Sequence, residues 1–281
     1  MPIMGFPIGY QGAFPIDVEV PGAPSDFDPD ATAWFEAVEA AGSVFAPGAK
    51  AAYNKFFETT KADGNLAPFG DGLLLAFAGF TGLDGCFVPL KSRPDLVVQN
   101  AGFVSGHKST NFLTGNGSAS IGTGILNSDL FNQNTGCLVA YIGELGSPTG
   151  ILLGSGRFQI NTTVLGGGAV AISSVGEFSI RSGAAALTHT INPNTLAVLQ
   201  NRDGGHTVLT NGSIKTDNYN KGASNDNYIR FFASSNDIAP YGVSVDAASC
   251  SAGLMGCGSN LPNISAFNAA VTELMTDLEV I

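Results

Sequence analysis

Charge is scarce in this chain. Charged residues make up 12% of its 281 positions, about half the ~25% of an average soluble domain. The 12 Lys and Arg are outnumbered by 23 Asp and Glu, for a net charge of −11. No basic stripe that could track phosphates is present, which excludes a nucleic-acid binder and disfavours an anionic membrane surface. Long hydrophobic runs are missing too. The best candidate, Leu73 to Phe80, is interrupted by Gly79 and falls far short of the ~20 apolar residues that span a bilayer, so no membrane insertion is expected. Met1 to Tyr10 has neither a basic residue nor an apolar signal core, so secretion by that route is not expected. Tryptophan occurs once, at Trp34, and cysteine four times, at Cys86, Cys137, Cys250 and Cys257. No CxxC spacing occurs, which leaves a zinc or thioredoxin-type motif unsupported. Buried reduced thiols are the expected state, with a Cys250–Cys257 disulfide as the sharper alternative.

What is present is apolar and rich in turns. Apolar residues reach 44%, with 19 Phe, beside 37 Gly and 14 Pro. Residues 1–27 read as an extended arm. Pro2, Pro7, Pro15, Pro21 and Pro24 each fix φ and lack a donor, which breaks any helix. Ile3, Phe6, Ile8, Phe14 and Ile16 are more apolar than a disordered tail requires. Either the arm docks into a neighbouring subunit or it edges its own domain as a strand.

Residues 28–92 carry a helical code. Asp28-Pro29-Asp30 is a helix start, with carboxylates at the positive end of the dipole. Trp34, Ala37, Val38 and Ala41 then share a face, and Gly42 closes the helix. Tyr53, Phe56, Phe57 and Thr60 predict a second helix ending at Gly64. The apolar, small-residue stretch Leu66 to Phe80 suggests a third, short one.

From 93 to 281 the pattern changes to short apolar, β-branched runs separated by Gly, Asn, Asp and Ser, the signal of a sandwich or barrel. Strands are expected at 118–125, 137–142, 151–153, 157–162, 169–173, 177–180, 195–200, 206–210, 213–215 and 228–233. Asn211-Gly212 joins two of them as the strongest short hairpin signal. Asn263 or Ser265 caps a closing amphipathic helix bearing Ile264, Phe267, Val271, Leu274 and Leu278.

This order of elements resembles a family of tailed-phage virion proteins with a concanavalin A-like (laminin-G-like) jelly-roll domain. The resembling segments are DPDATAWFEAVEAA, KAAYNKFFETTKADG, LLLAFAGFTGLDGCFVPLK, NFLTGNGSASIGTG, NRDGGHTVLTNGSIK, FFASSND and NISAFNAAVTELMTDL, spanning residues 28–281. The stretch VSVDAASCSAGLMGCGSNLP departs from the family, being rich in Ser, Gly and Cys where a compact strand is usual. The resemblance implies a mainly β fold: a jelly-roll β-sandwich with an N-terminal helical hairpin and a C-terminal amphipathic helix. It also implies a virion component on the particle exterior, a tail fibre or tip or a head decoration. The partners expected from it are other virion proteins, a homotrimer and a host surface glycan.

Motifs for chemistry are sparse. A sugar-cleaving site needs two carboxyls ~5–9 Å apart, yet Glu144 and Glu177 are the only glutamates between 96 and 262, and neither has a second acid two or four residues away. His107, His189 and His206 are isolated, and the GxSxG elbow and the phosphate-binding Gly-rich loops are absent. The expectation is therefore a non-enzymatic structural protein, with a polysaccharide-degrading or glycan-binding tail protein as the alternative. The best cluster for a ligand is Asp217, Asn218, Tyr219, Asn220, Asn225, Asp226 and Tyr228. Its oxygens suit calcium and its aromatics beside amides suit a glycan; the same residue types also build ordinary solvated turns.

Overall fold

The structure is a computed structural model that describes residues 27–131, 134–144, 151–155, 158–161, 177–182, 185–203, 205–217, 228–233 and 249–281. The arm residues Ile3, Phe6, Ile8, Phe14 and Ile16 lie outside them, as does the strand expected at 169–173.

The chain enters through α1 (Pro29–Ala40), β1 (Val44–Phe45) and α2 (Ala49–Ala62). Asp28 caps α1, its carboxylate accepting from the backbone N–H of Asp30 at 2.9 Å and of Ala31 at 3.3 Å. Lys61 from the end of α2 pairs with Asp28 and, at 2.8 Å, with Asp30, so the two helices are tied at that corner. Trp34 is 4% exposed and sits among Phe35, Phe45, Tyr53, Phe57 and Phe80. Its indole N–H donates to the Val88 carbonyl, and the buried Tyr53 hydroxyl donates to that of Ala78.

Strands follow: β2 (Leu73–Ala76), β3 (Phe80–Thr81), β4 (Lys91–Ser92), β5 (Gln99–Ala101), β6 (Leu113–Thr114) and β7 (Ser120–Leu126), then the single turn α3 (Asn127–Leu130). Next come β8 (Cys137–Ile142), β9 (Ile151–Ser155), β10 (Phe158–Asn161), β11 (Glu177–Ser182), β12 (Ala185–Thr190), β13 (Thr195–Arg202), β14 (Gly205–Thr210), β15 (Ser213–Asp217), β16 (Tyr228–Phe231) and β17 (Ser251–Gly258), and α4 (Ile264–Asp277) closes the order. The protein is mainly β, with antiparallel sheets and few helices. One sheet runs β15-β14-β13-β8-β17-β2-β4, with β6 also on β17; the other runs β12-β11-β10-β9-β16-β7-β5; β1 and β3 pair apart.

The two large sheets share one apolar core. Leu138, Val139 and Leu254 of the first and Ile121, Leu153 and Phe231 of the second belong to the same buried cluster. The far side of the first sheet is covered by helices, since α4 packs on β13 and on α2. The sheet is therefore apolar on both faces, and every residue of β8 and β17 is buried. Such strands lose the apolar–polar alternation of a half-exposed strand.

Loss of alternation explains the principal difference from the sequence reading. Leu66 to Phe80 is not a third helix but a 3-10 turn at Ala67–Gly70 followed by β2 and β3. A fully buried strand and a buried helix share the same continuous apolar signature. The Ser/Gly/Cys-rich departure likewise contains the central strand β17. Its small residues are a packing requirement: a Cβ at Gly256 would stand 2.8 Å from Leu74 Cδ1 and 2.9 Å from the Leu73 carbonyl. The disulfide alternative fails on the same strand. All four thiols are free and buried, and β17 separates Cys250 from Cys257 by roughly 23 Å at ~3.3 Å per residue, against the ~7 Å limit for a bridge.

Candidate functional site: the outer face of the seven-stranded sheet

Strand register sorts the second sheet into two faces. One row of paired residues runs Asn100, Ile121, Phe231, Leu153, Ile160, Ile180 and Leu187 across the strands. Its members Ile121, Phe231 and Leu153 are 0% exposed and lie in the shared core. The neighbouring row runs Gln99, Gly122, Arg230, Gly154, Gln159, Arg181 and Ala186. Side chains alternate between faces along a strand, so this second row lies on the face turned away from the core. It holds two amides and two guanidinium residues and no acid. With strands ~4.8 Å apart, the row is roughly 29 Å long.

Arg230 stands at its middle between two glycines, Gly122 and Gly154. With no side chain on either neighbour, the arginine can lie along the sheet. Its guanidinium reaches the Ser120 hydroxyl, Nη1 to Oγ 3.3 Å, and the residue is 1% exposed. Two residues upstream, past a register irregularity, Tyr228 pairs with Leu126 at the end of β7 and is half-buried.

The residue after Leu126 is Asn127. It is fully buried, and neither its amide nitrogen nor its amide oxygen has a hydrogen-bond partner. Its backbone carbonyl is used, accepting from Phe131 at 2.8 Å. Nearby, Arg93 donates to the Asp129 carboxylate at 3.1 Å and to the Gly124 carbonyl at 3.5 Å. Arg93 also anchors its own backbone N–H on Gly72, next to β2, so it bridges the two sheets at this end. Leaving a buried amide unpaired costs about 1–3 kcal/mol. A site that retains one has a ligand or an ordered water to satisfy it. The carboxamide offers two donors and an acceptor, and a guanidinium so close disfavours a cation. Paired hydroxyls, each able to donate and accept, match it, and the half-buried Tyr228 stands opposite Leu126.

The structure divides the sequence-derived cluster. Tyr228 belongs to the seven-stranded sheet, whereas Asp217 ends β15 of the other, paired with His206. Asn218, Tyr219, Asn220, Asn225 and Asp226 lie outside the described residues, so a calcium there is untouched. Among the described residues no group of three or more His, Cys, Asp or Glu could hold a metal. The histidines sit on three separate elements: His107 in the β5–β6 connection, where Nδ1 accepts from the Val104 N–H, His189 on β12 and His206 on β14. Glu144 follows β8 while Glu177 is on β11 of the opposite sheet.

No protein-family model matches the chain, and no curated protein matches it. Matches exist among solved structures. Trypanosoma rangeli sialidase in complex with sialic acid aligns at 15% identity and a TM-score of 0.45, covering 81% of this chain and 38% of that one. The NanB sialidase of Streptococcus pneumoniae aligns at 13% and 0.37 over 52% of this chain and 25% of that one. Domain 4 of AbnA, an extracellular arabinanase from Geobacillus stearothermophilus in complex with arabinotriose, aligns at 14% and 0.34, covering 72% and 87%. The chain thus spans under two-fifths of the sialidases' length. These findings correct the expectation of a non-enzymatic virion structural protein. What the comparisons return is sialidases and an arabinanase domain, so that function and the exclusion of an enzyme are both withdrawn.

Proposed function

We propose that the chain recognises glycans, on a concanavalin A-like jelly-roll sandwich, through the outer face of the seven-stranded sheet and the Asn127–Tyr228 end of it. The observation that carries the reading is Asn127, a fully buried carboxamide with neither polar atom bonded, one residue beyond the pairing partner of Tyr228. Glycan sites combine an aromatic face with a few convergent amides and charged groups, and Tyr228, Asn127, Arg93 and Asp129 supply that set. The canonical glycosidase pair of carboxyls has one candidate on the seven strands, Glu177.

The test is a glycan array followed by calorimetry on the full chain, with Asn127→Leu as the probe. The substitution keeps the volume and removes the amide. Binding weakened about tenfold or more, the loss of one or two hydrogen bonds to ligand, supports the reading. Unchanged binding together with a raised Tm means the amide held only water, and the reading fails. Reducing-end release in the same incubations reports whether cleavage accompanies binding. The homotrimer is a further proposal, resting on the sequence resemblance, and light scattering reads it directly.

A further inference from the structure

We propose, resting on the glycan reading above, that the ligand is a polymer of carboxylate-bearing sugars laid across the strands rather than a single terminal sugar. Three observations carry this. The first is length: the row from Gln99 to Arg181 crosses six neighbouring strands, roughly 24 Å, more than one sugar ring can span. The second is charge. The seven strands of this sheet contain two arginines, Arg181 and Arg230, against one acid, Glu177, in a chain whose net charge is −11. The face therefore reverses the sign of the molecule it belongs to. The third is residue type. Planar guanidinium forks match carboxylates in a bidentate manner that lysine cannot reproduce, and amides at Gln99 and Gln159 punctuate the row with groups suited to hydroxyls. Gly122 and Gly154 leave the backbone open on both sides of Arg230, so a chain can approach the sheet closely there.

The general negative charge repels a polyanion at long range, so attraction is confined to this face and falls with salt. The experiment compares oligogalacturonates from monomer to octamer with malto-oligosaccharides of equal lengths, by calorimetry at two salt concentrations. Affinity is expected to climb with length in the acidic series only and to weaken in high salt. Gln99→Ala and Arg181→Ala, at opposite ends of the row, should each cost the octamer about tenfold, one charge-assisted or bidentate contact each, with the Tm held. The monomer loses affinity in at most one of them. Equal affinity for monomer and octamer overturns the polymer claim, and equal affinity for the neutral series overturns the carboxylate claim. Both outcomes leave glycan recognition standing. Absence of binding to every sugar in both series strikes the underlying reading as well.

Discussion

At the scale of single residues, burial decides the chemistry. Burial pushes the Cys86, Cys137 and Cys250 thiols up to about 12, and burial followed by the neighbouring Cys137 raises Cys257 further. The thiolate is the reactive form. Native protein at neutral pH should therefore leave all four thiols unlabelled by a thiol-disulfide reagent, and guanidinium should expose four equivalents. Rapid labelling of any one in native protein would contradict its placement in the core. Asp28 behaves differently. Burial raises its carboxyl, but the Lys61 contact and the Asp30 and Ala31 N–H groups outweigh that and hold it low. A depressed carboxylate contributes stability above its unfolded value near ~3.9 that is lost as pH falls through the folded value. Asp28→Ala should cost about 1 kcal/mol at pH 6, the worth of an N-cap, and thermal melts of the two proteins should converge in acid. Asp28→Asn, which keeps the cap and drops the charge, should fall between them.

Between these residues and the sheets stand the elements, and here the sequence was legible in proportion to how local each signal is. The Asn211-Gly212 turn carries its own geometry, with φ of 50° and 71°, and β14 and β15 pair around it as the dipeptide requires. The span Cys137–Ile142 reads as a strand because β-branched and apolar residues end abruptly at glycines on both sides. By contrast, β2 and β17 depend on helices covering one face and a second sheet covering the other, which no window of sequence contains. The candidate site is less legible still. Tyr228 stands out as an aromatic among amides, but Leu126-Asn127-Ser128 reads like any turn, and only the folded surroundings bury Asn127. The polar row joins residues from Gln99 to Arg230 through register alone. At Gly256 the packing argument gives a sharp expectation. Gly256→Val forces a branched side chain between Leu73 and Leu74, and overpacking of this kind costs about 1–3 kcal/mol or more. A drop in Tm of several degrees is the expected result, and an unchanged melt would refute the close approach.

For the molecule as a whole, the helical layer, the doubly covered sheet and the polar-faced sheet are stacked in that order of exposure to solvent chemistry. The helices protect the first sheet, and the second presents its outer row. Removing α4 strips the cover from β13 and from α2. Truncation after Leu261 should therefore give a protein that binds a hydrophobic dye and loses cooperative melting, instead of a slightly weaker version of the same fold.

The position of β17 has a temporal meaning. It is the last strand in the described order, yet it lies between β8 and β2, two segments that precede it by more than a hundred residues. Until it arrives, each of those strands has an open ladder of amides and carbonyls on an apolar ribbon, the condition that invites adhesion to other chains. Folding rates fall as contacts become more distant in sequence. Refolding of this protein should accordingly be slow and concentration-sensitive, with a synthetic peptide matching residues 249–261 able to compete for the vacant slot.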